Sequence, residues 1–224
     1  MHLMKSGSRS IMKTRLAQLQ TAYTDAVSKL SRVDFIAPLL LRLYLSPILW
    51  MAGWNKLSHF QDTVEWFGNS DWGLGLPLPW LMATLATATE LGGAVLLLTG
   101  LAVRVISLPL MVTMLVAMFT VHWPNGWLAI AEGQGVFATE RTMEATQRLA
   151  EAKALLMEHG DYEYLTEHGS LVILNNGIEF GATYFLMLLS LLFTGAGRWL
   201  SLDGWIARRV QAESASGTLR AAYE

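Results

Sequence analysis

Residues 80–121 read WLMATLATATELGGAVLLLTGLAVRVISLPLMVTMLVAMFTV, and only Glu90 and Arg104 in that run are charged. At 1.5 Å of rise per residue, about 20 apolar residues cross the roughly 30 Å hydrocarbon layer of a bilayer, so the run holds two crossings back to back. The turn falls between Thr99 and Arg104, where Gly100 can take the left-handed conformation that ends a helix and Arg104 supplies a polar tip. The stretch predicts a transmembrane hairpin. Glu90 lies about ten residues inside its first arm, near mid-membrane, where a carboxylate is costly and requires a partner.

The whole chain has the same balance. Of its 224 residues 53% are hydrophobic and 15% charged, against about 25% charged in ordinary soluble domains. The basic residues form no stripe with interleaved aromatics, which excludes a nucleic-acid partner and leaves the lipid bilayer as the expected one. Cysteine is absent, so the chain cannot itself carry a disulfide, a thiol nucleophile or a thiolate-bound cluster. No phosphate-binding glycine loop or nucleophile elbow is present, and Gly92-Gly93 reads as a site of close helix approach.

On the N-terminal side of the hairpin, residues 55–79 form an external loop ended by Gly73, Gly75, Pro77 and Pro79, with Trp66 and Trp72 suited to the outer interface. A first span precedes it, from about Val33 to Trp54, interrupted by Pro38 and Pro47. Arg42 sits about ten residues inside, the depth reached by Glu90 from the other face. An Arg42–Glu90 ion pair is therefore expected as the buried polar centre, either locking two helices together or serving as a proton or ligand site. Residues 1–32 carry no secretory signal core; Met12, Leu16, Leu19, Tyr23, Ala26 or Val27, and Leu30 recur at helical spacing, predicting a basic amphipathic helix.

On the C-terminal side, HWPNGW (residues 122–127) turns the chain at the outer interface, and a hydrophilic insertion covers residues 128–176. Within it Thr139 can cap a surface helix over Glu140–Glu158 that Gly160 ends, residues 170–174 suit a short strand or lip, and Asn175-Asn176-Gly177 is a turn. A fourth span runs from about Ile178 to Leu192. Trp199 and Trp205 anchor the inner face, Ser201 and Asp203 can cap a short interfacial helix, and the chain from Ala212 onward is expected to be loose. The fold class is thus an all-α polytopic four-helix membrane bundle: segment 1–32, membrane domain 33–200 with its external insertion, and C-terminal segment 201–224.

Eleven basic residues (Lys5, Arg9, Lys13, Arg15, Lys29, Arg32, Arg104, Arg198, Arg208, Arg209, Arg220) flank the spans on one side, against Lys56, Arg141, Arg148 and Lys153 on the other. The positive-inside bias puts both termini in the cytoplasm.

The segments LLRLYLSPILWMAGWNKL (Arg42, Lys56), ATELGGAVLLLTGLAVR (Glu90, Gly92, Gly93, Gly100, Arg104) and GAGRWLSLD (Gly195, Gly197, Ser201, Asp203) resemble the DoxX family of bacterial inner-membrane proteins. More narrowly, WFGNSDWGLGLPLPW and FTVHWPNGWLAI look like the DoxX-type proteins, called HvfX, that accompany maturation of copper-binding modified peptides. The resemblance implies an accessory membrane subunit linked to redox chemistry, with membrane or peptide-maturation proteins as partners and quinone as a possible cofactor. One relative forms part of a thiosulfate:quinone oxidoreductase. The insertion departs from the shortest members.

The topology collects Lys56, His59, His122 and Glu179 at one external level, a cluster able to bind a quinone headgroup, an anion or a metal, or simply to meet water and headgroups. Met111, Met114 and Met118 form a helical stripe of soft thioethers, more often packing than copper ligands. Three functions stay open: accessory redox- or copper-linked subunit, quinone-reactive oxidoreductase subunit, and small transporter or metal-handling protein.

Overall fold

The computed structural model describes the backbone of residues 3–223 and the side chains of residues 15–214. Nine α-helices occur among the described residues: α1 (Leu3–Leu30), α2 (Ile36–Ser58), α3 (Phe60–Gly68), α4 (Pro79–Thr99), α5 (Val103–Ala117), α6 (Glu140–His159), α7 (Tyr162–Thr166), α8 (Glu179–Thr194) and α9 (Leu202–Tyr223). A π-helical turn, Met118–His122, and a 3-10 turn, Trp123–Asn125, extend α5. Three helical stretches, Ile36–Ser58, Pro79–Thr99 and Val103–Asn125, are long and apolar enough to cross a membrane. The fourth expected span is the shorter apolar helix α8, whose 16 residues reach about 24 Å.

The helices meet as a ring: α2 on α4, α4 on α5, α5 on α8, and α8 back on α2. Leu45, Leu49, Leu97, Val103, Leu110, Leu188 and Leu191 fill the centre. Glycine sets two of the contacts. A Cβ on Gly93 would stand 2.8 Å from Leu110, and one on Gly53 would stand 2.8 Å from Leu91 Cγ and 3.1 Å from Glu90 Cβ. Gly53 lets the backbones of α2 and α4 approach closely, and Gly93 leaves room for the Leu110 side chain of α5.

The hairpin turn forms where the sequence places it. Gly100 ends α4 at φ 69°, and Ala102, also left-handed at φ 50°, opens α5. The end of the bundle that carries this turn is then closed by the segment after α8. Asp203 accepts from the Ala102 and Val103 amides at 2.8 and 3.1 Å, satisfying orphan donors at the start of α5, and its own amide donates to the Gly100 carbonyl at 3.0 Å. Arg104 Nη2 donates to the Phe193 carbonyl.

In the insertion Thr139 and Thr142 form a reciprocal cap on α6, and Gly160 ends that helix. The possible strand at residues 170–174 reduces to one antiparallel bridge between Ile130 and Leu174. Asn176 takes the left-handed conformation at φ 57° in the expected turn.

At the ends the chain is more helical than its sequence suggests. α9 runs to Tyr223, so the expected loose tail from Ala212 is helix; its alanine-rich sequence favours that state, and Ser201 Oγ accepts from the Gly204 amide at its start. In α1 the stripe residues Leu16, Leu19, Tyr23, Val27 and Leu30 are all exposed. Met12, Lys5, Arg9, Lys13 and Arg220 lie outside the described side chains.

Candidate functional site

The expected pair of Arg42 with Glu90 does not form. Glu90, 4% exposed, is bound by Lys56, whose Nζ donates to Oε1 at 2.9 Å and to Oε2 at 2.7 Å. The helix register explains the exchange. Gly53 rests against Glu90, and Lys56 follows it by three residues on the same face of α2, so its flexible stem reaches back to the carboxylate. Arg42 lies eleven residues before Gly53, about 16 Å down the helix.

Arg42 is fully buried at the opposite end of the bundle, where Nη2 donates to the Leu200 carbonyl at 2.8 Å. Its Nε and Nη1 have no partner among the described residues. Gly100 has no side chain where one would run into Arg42 Nη1, so the glycine that ends α4 also makes room for the guanidinium. Two buried polar centres therefore replace one, Lys56–Glu90 against the middle of α4 and Arg42 beside the α4–α5 turn.

A cavity of about 580 Å³ adjoins the Lys56–Glu90 pair, lined by α3 (Trp66, Phe67), the loop after it (Leu74, Leu76), α4 (Met82, Leu85, Ala86, Thr89) and α5 with its π turn (Pro109, Val112, Thr113, Val116, Thr120, His122). Its size falls in the range of small-molecule sites, about 300–1,000 Å³, and its lining has their character, mostly apolar with a few polar groups. Leu85, Val112 and Val116 are exposed on its rim, so it opens sideways on the surface a bilayer would cover. Trp66 and Phe67 arrive because Gly68 fits under Pro79 and Gly73 under the Trp66 carbonyl, which folds α3 back onto α4.

Of the four residues expected at the external level, Lys56 and His122 share this lining. His122 Nδ1 lies 2.9 Å from the Asn176 carbonyl, which also accepts from Asn125 Nδ2 at 3.1 Å. Glu179 instead accepts from the Ala129 amide at 2.8 Å, bracing the insertion against α8. His59 is exposed, with Nδ1 3.1 Å from the Asn55 carbonyl of its own helix turn. Among the described residues no three His, Asp or Glu side chains converge as a metal site. Met111, Met114 and Met118 pack inward, the first two on the central leucines and Met118 against Gly181.

No local pattern around Trp66, Leu74 and Leu76 points them to the site. The density of glycine and proline in residues 68–79 was the available signal, since such a loop can fold back tightly.

Three long apolar helices, two of them joined by a short turn, with an ion pair inside and a cavity opening on the apolar flank, define a multi-pass helical membrane protein. Residues 37–123 match the DoxX family. Over 97 residues the chain is 32% identical to the Bacillus subtilis (strain 168) protein named "Putative oxidoreductase CatD", a match spanning 43% of this chain and 68% of that protein. The chain belongs to the DoxX family. No solved structure gives a significant match.

Proposed function

We propose that this chain is a membrane subunit of a redox system, an accessory part of an assembly in the bacterial inner membrane, and that its cavity takes a quinone-type molecule arriving through the bilayer. The observation that carries this reading is an apolar cavity of about 580 Å³ that opens towards lipid and adjoins the Lys56–Glu90 pair. A flat apolar ring with two oxygens and a lipid tail suits such a lining: the ring and tail bury against Phe67, Met82, Leu85 and Val116, and the oxygens meet the few polar groups. The oxidoreductase name of the Bacillus subtilis relative agrees in chemical class. With no cysteine, thiol chemistry would come from a partner protein. The excess of basic residues beside both termini supports a cytoplasmic location for them.

A finer placement beside copper-binding peptide maturation rests on WFGNSDWGLGLPLPW and FTVHWPNGWLAI, and both stretches contribute to the cavity, through Trp66, Leu74 and Leu76 and through Thr120 and His122. In that setting the partners would be peptide-maturation proteins.

The test is extraction in mild detergent followed by an inventory of quinone, proteins and metals. Quinone near one per chain in the wild type, lost when Ala86→Phe fills the cavity, is the expected result. Purified protein that carries no quinone and takes none up from quinone-loaded vesicles would overturn the reading.

A further inference from the structure

The hydrogen-bonding capacity of the cavity is lopsided. His122 Nδ1 faces the Asn176 carbonyl at 2.9 Å, and a carbonyl has no hydrogen to give, so Nδ1 carries the hydrogen, and in that tautomer Nε2 is an acceptor. Asn125 Nδ2 donates to the same carbonyl, and Asn176 holds it there from a left-handed conformation at φ 57°. His122 ends the π-helical turn Met118–His122, a local distortion common at functional sites.

Most of the other polar groups on the lining lean the same way. Thr113 Oγ1 donates to the Pro109 carbonyl at 3.0 Å and Thr120 Oγ1 to the Val116 carbonyl at 2.7 Å, so each hydroxyl has its hydrogen committed and only lone pairs to offer. Glu90 is a carboxylate, an acceptor by nature. Lys56 directs two of its three N–H groups at Glu90, leaving the third, the Trp66 indole N–H and the uncommitted Thr89 hydroxyl as donors against five acceptor groups, Thr89 counted in both.

We infer that the cavity prefers a ligand that gives hydrogen bonds: a hydroxyl-bearing aromatic ring, the hydroquinone form, over the corresponding quinone. The inference rests on the cavity reading proposed above and specifies which oxidation state it holds. A quinone oxygen placed against His122 Nε2 sets lone pair against lone pair, whereas a hydroquinone O–H completes the bond.

Three probes of nearly equal shape separate these cases on the purified full chain in detergent: decyl-hydroquinone, decyl-benzoquinone and the dimethyl ether of the hydroquinone, each titrated by calorimetry. The hydroquinone is expected to bind about ten-fold tighter than the other two, the scale of one well-made hydrogen bond. In His122→Leu that margin should shrink several-fold while quinone affinity changes little. Quinone affinity equal to or above that of the hydroquinone in the wild type overturns the inference and leaves the cavity reading standing. Failure of all three probes to bind overturns both. The wild-type comparison is decisive even if His122→Leu does not fold.

Discussion

Lys56 Nζ reaches both carboxylate oxygens of Glu90, at 2.9 and 2.7 Å, from one helical turn beyond the glycine on which Glu90 rests. The pair ties the C-terminal end of α2 to the middle of α4 and forms the polar edge of an otherwise greasy cavity.

Breaking that pair from either side leaves one charge without its partner. Glu90→Gln or Lys56→Met is expected to lower stability by about 3 kcal/mol, the low end for a buried pair because Lys56 keeps a quarter of its side chain exposed. The double variant should recover much of the loss. Unfolding in mixed detergent micelles, analysed as a double-mutant cycle, reads this out; additive losses would show that the two side chains are not coupled.

Two neighbouring glycine sites should behave in opposite ways. Gly53→Ala places a methyl 2.8 Å from Leu91 Cγ and 3.0 Å from the Leu91 amide nitrogen, prying α2 from α4, at an expected cost of about 1–3 kcal/mol. Gly92→Ala meets nothing within 4 Å and should stay within about 0.5 kcal/mol of the parent. Equal effects on the unfolding midpoint would contradict the packing of α2 on α4.

Asp203→Ala removes the acceptor for two amides at the start of α5. A loss of about 1 kcal/mol is expected, as for other helix caps. Hydrogen exchange at Ala102 and Val103 should accelerate while amides in the middle of α5 keep their protection; unchanged exchange at those two positions would rule the cap out.

Because the chain lacks cysteine, single cysteines report topology without background. Ser28→Cys and Glu151→Cys sit at exposed positions of α1 and α6. In intact cells a membrane-impermeant maleimide should label residue 151 alone, and residue 28 only after permeabilisation. Labelling of both from one side would refute the orientation drawn from the basic residues.

The hairpin, its turn at Gly100, the cap at Thr139 and the turn at Asn176 were all legible because each depends on local chemistry: apolar length, left-handed tolerance, a hydroxyl before a helix. The partner of Glu90 was not. Counting residues from assumed span ends put Arg42 and Glu90 at equal depth, but helix register is fixed by close approach, and Gly53 on Leu91 shifts Arg42 well below the carboxylate. The composition of residues 55–79 places Lys56 in a loop, whereas α2 runs on to Ser58 and carries it back into the bundle. The cavity was hidden for a related reason, since its lining joins α3, a glycine-rich loop, α4 and α5, and no period in the sequence links them.

The cap that Asp203 places on Ala102 and Val103 spans about 100 residues of chain. At ribosomal speeds of about 5–20 residues per second, the amides at the α4–α5 turn wait on the order of 5–20 s for their acceptor to be synthesised. Biogenesis therefore has a built-in order: the hairpin enters the lipid with its turn unfinished, and only arrival of the last segment completes it. A ribosome that stalls or terminates before residue 203 would leave a nascent chain that is inserted but unsealed, the kind of product that membrane quality control can recognise.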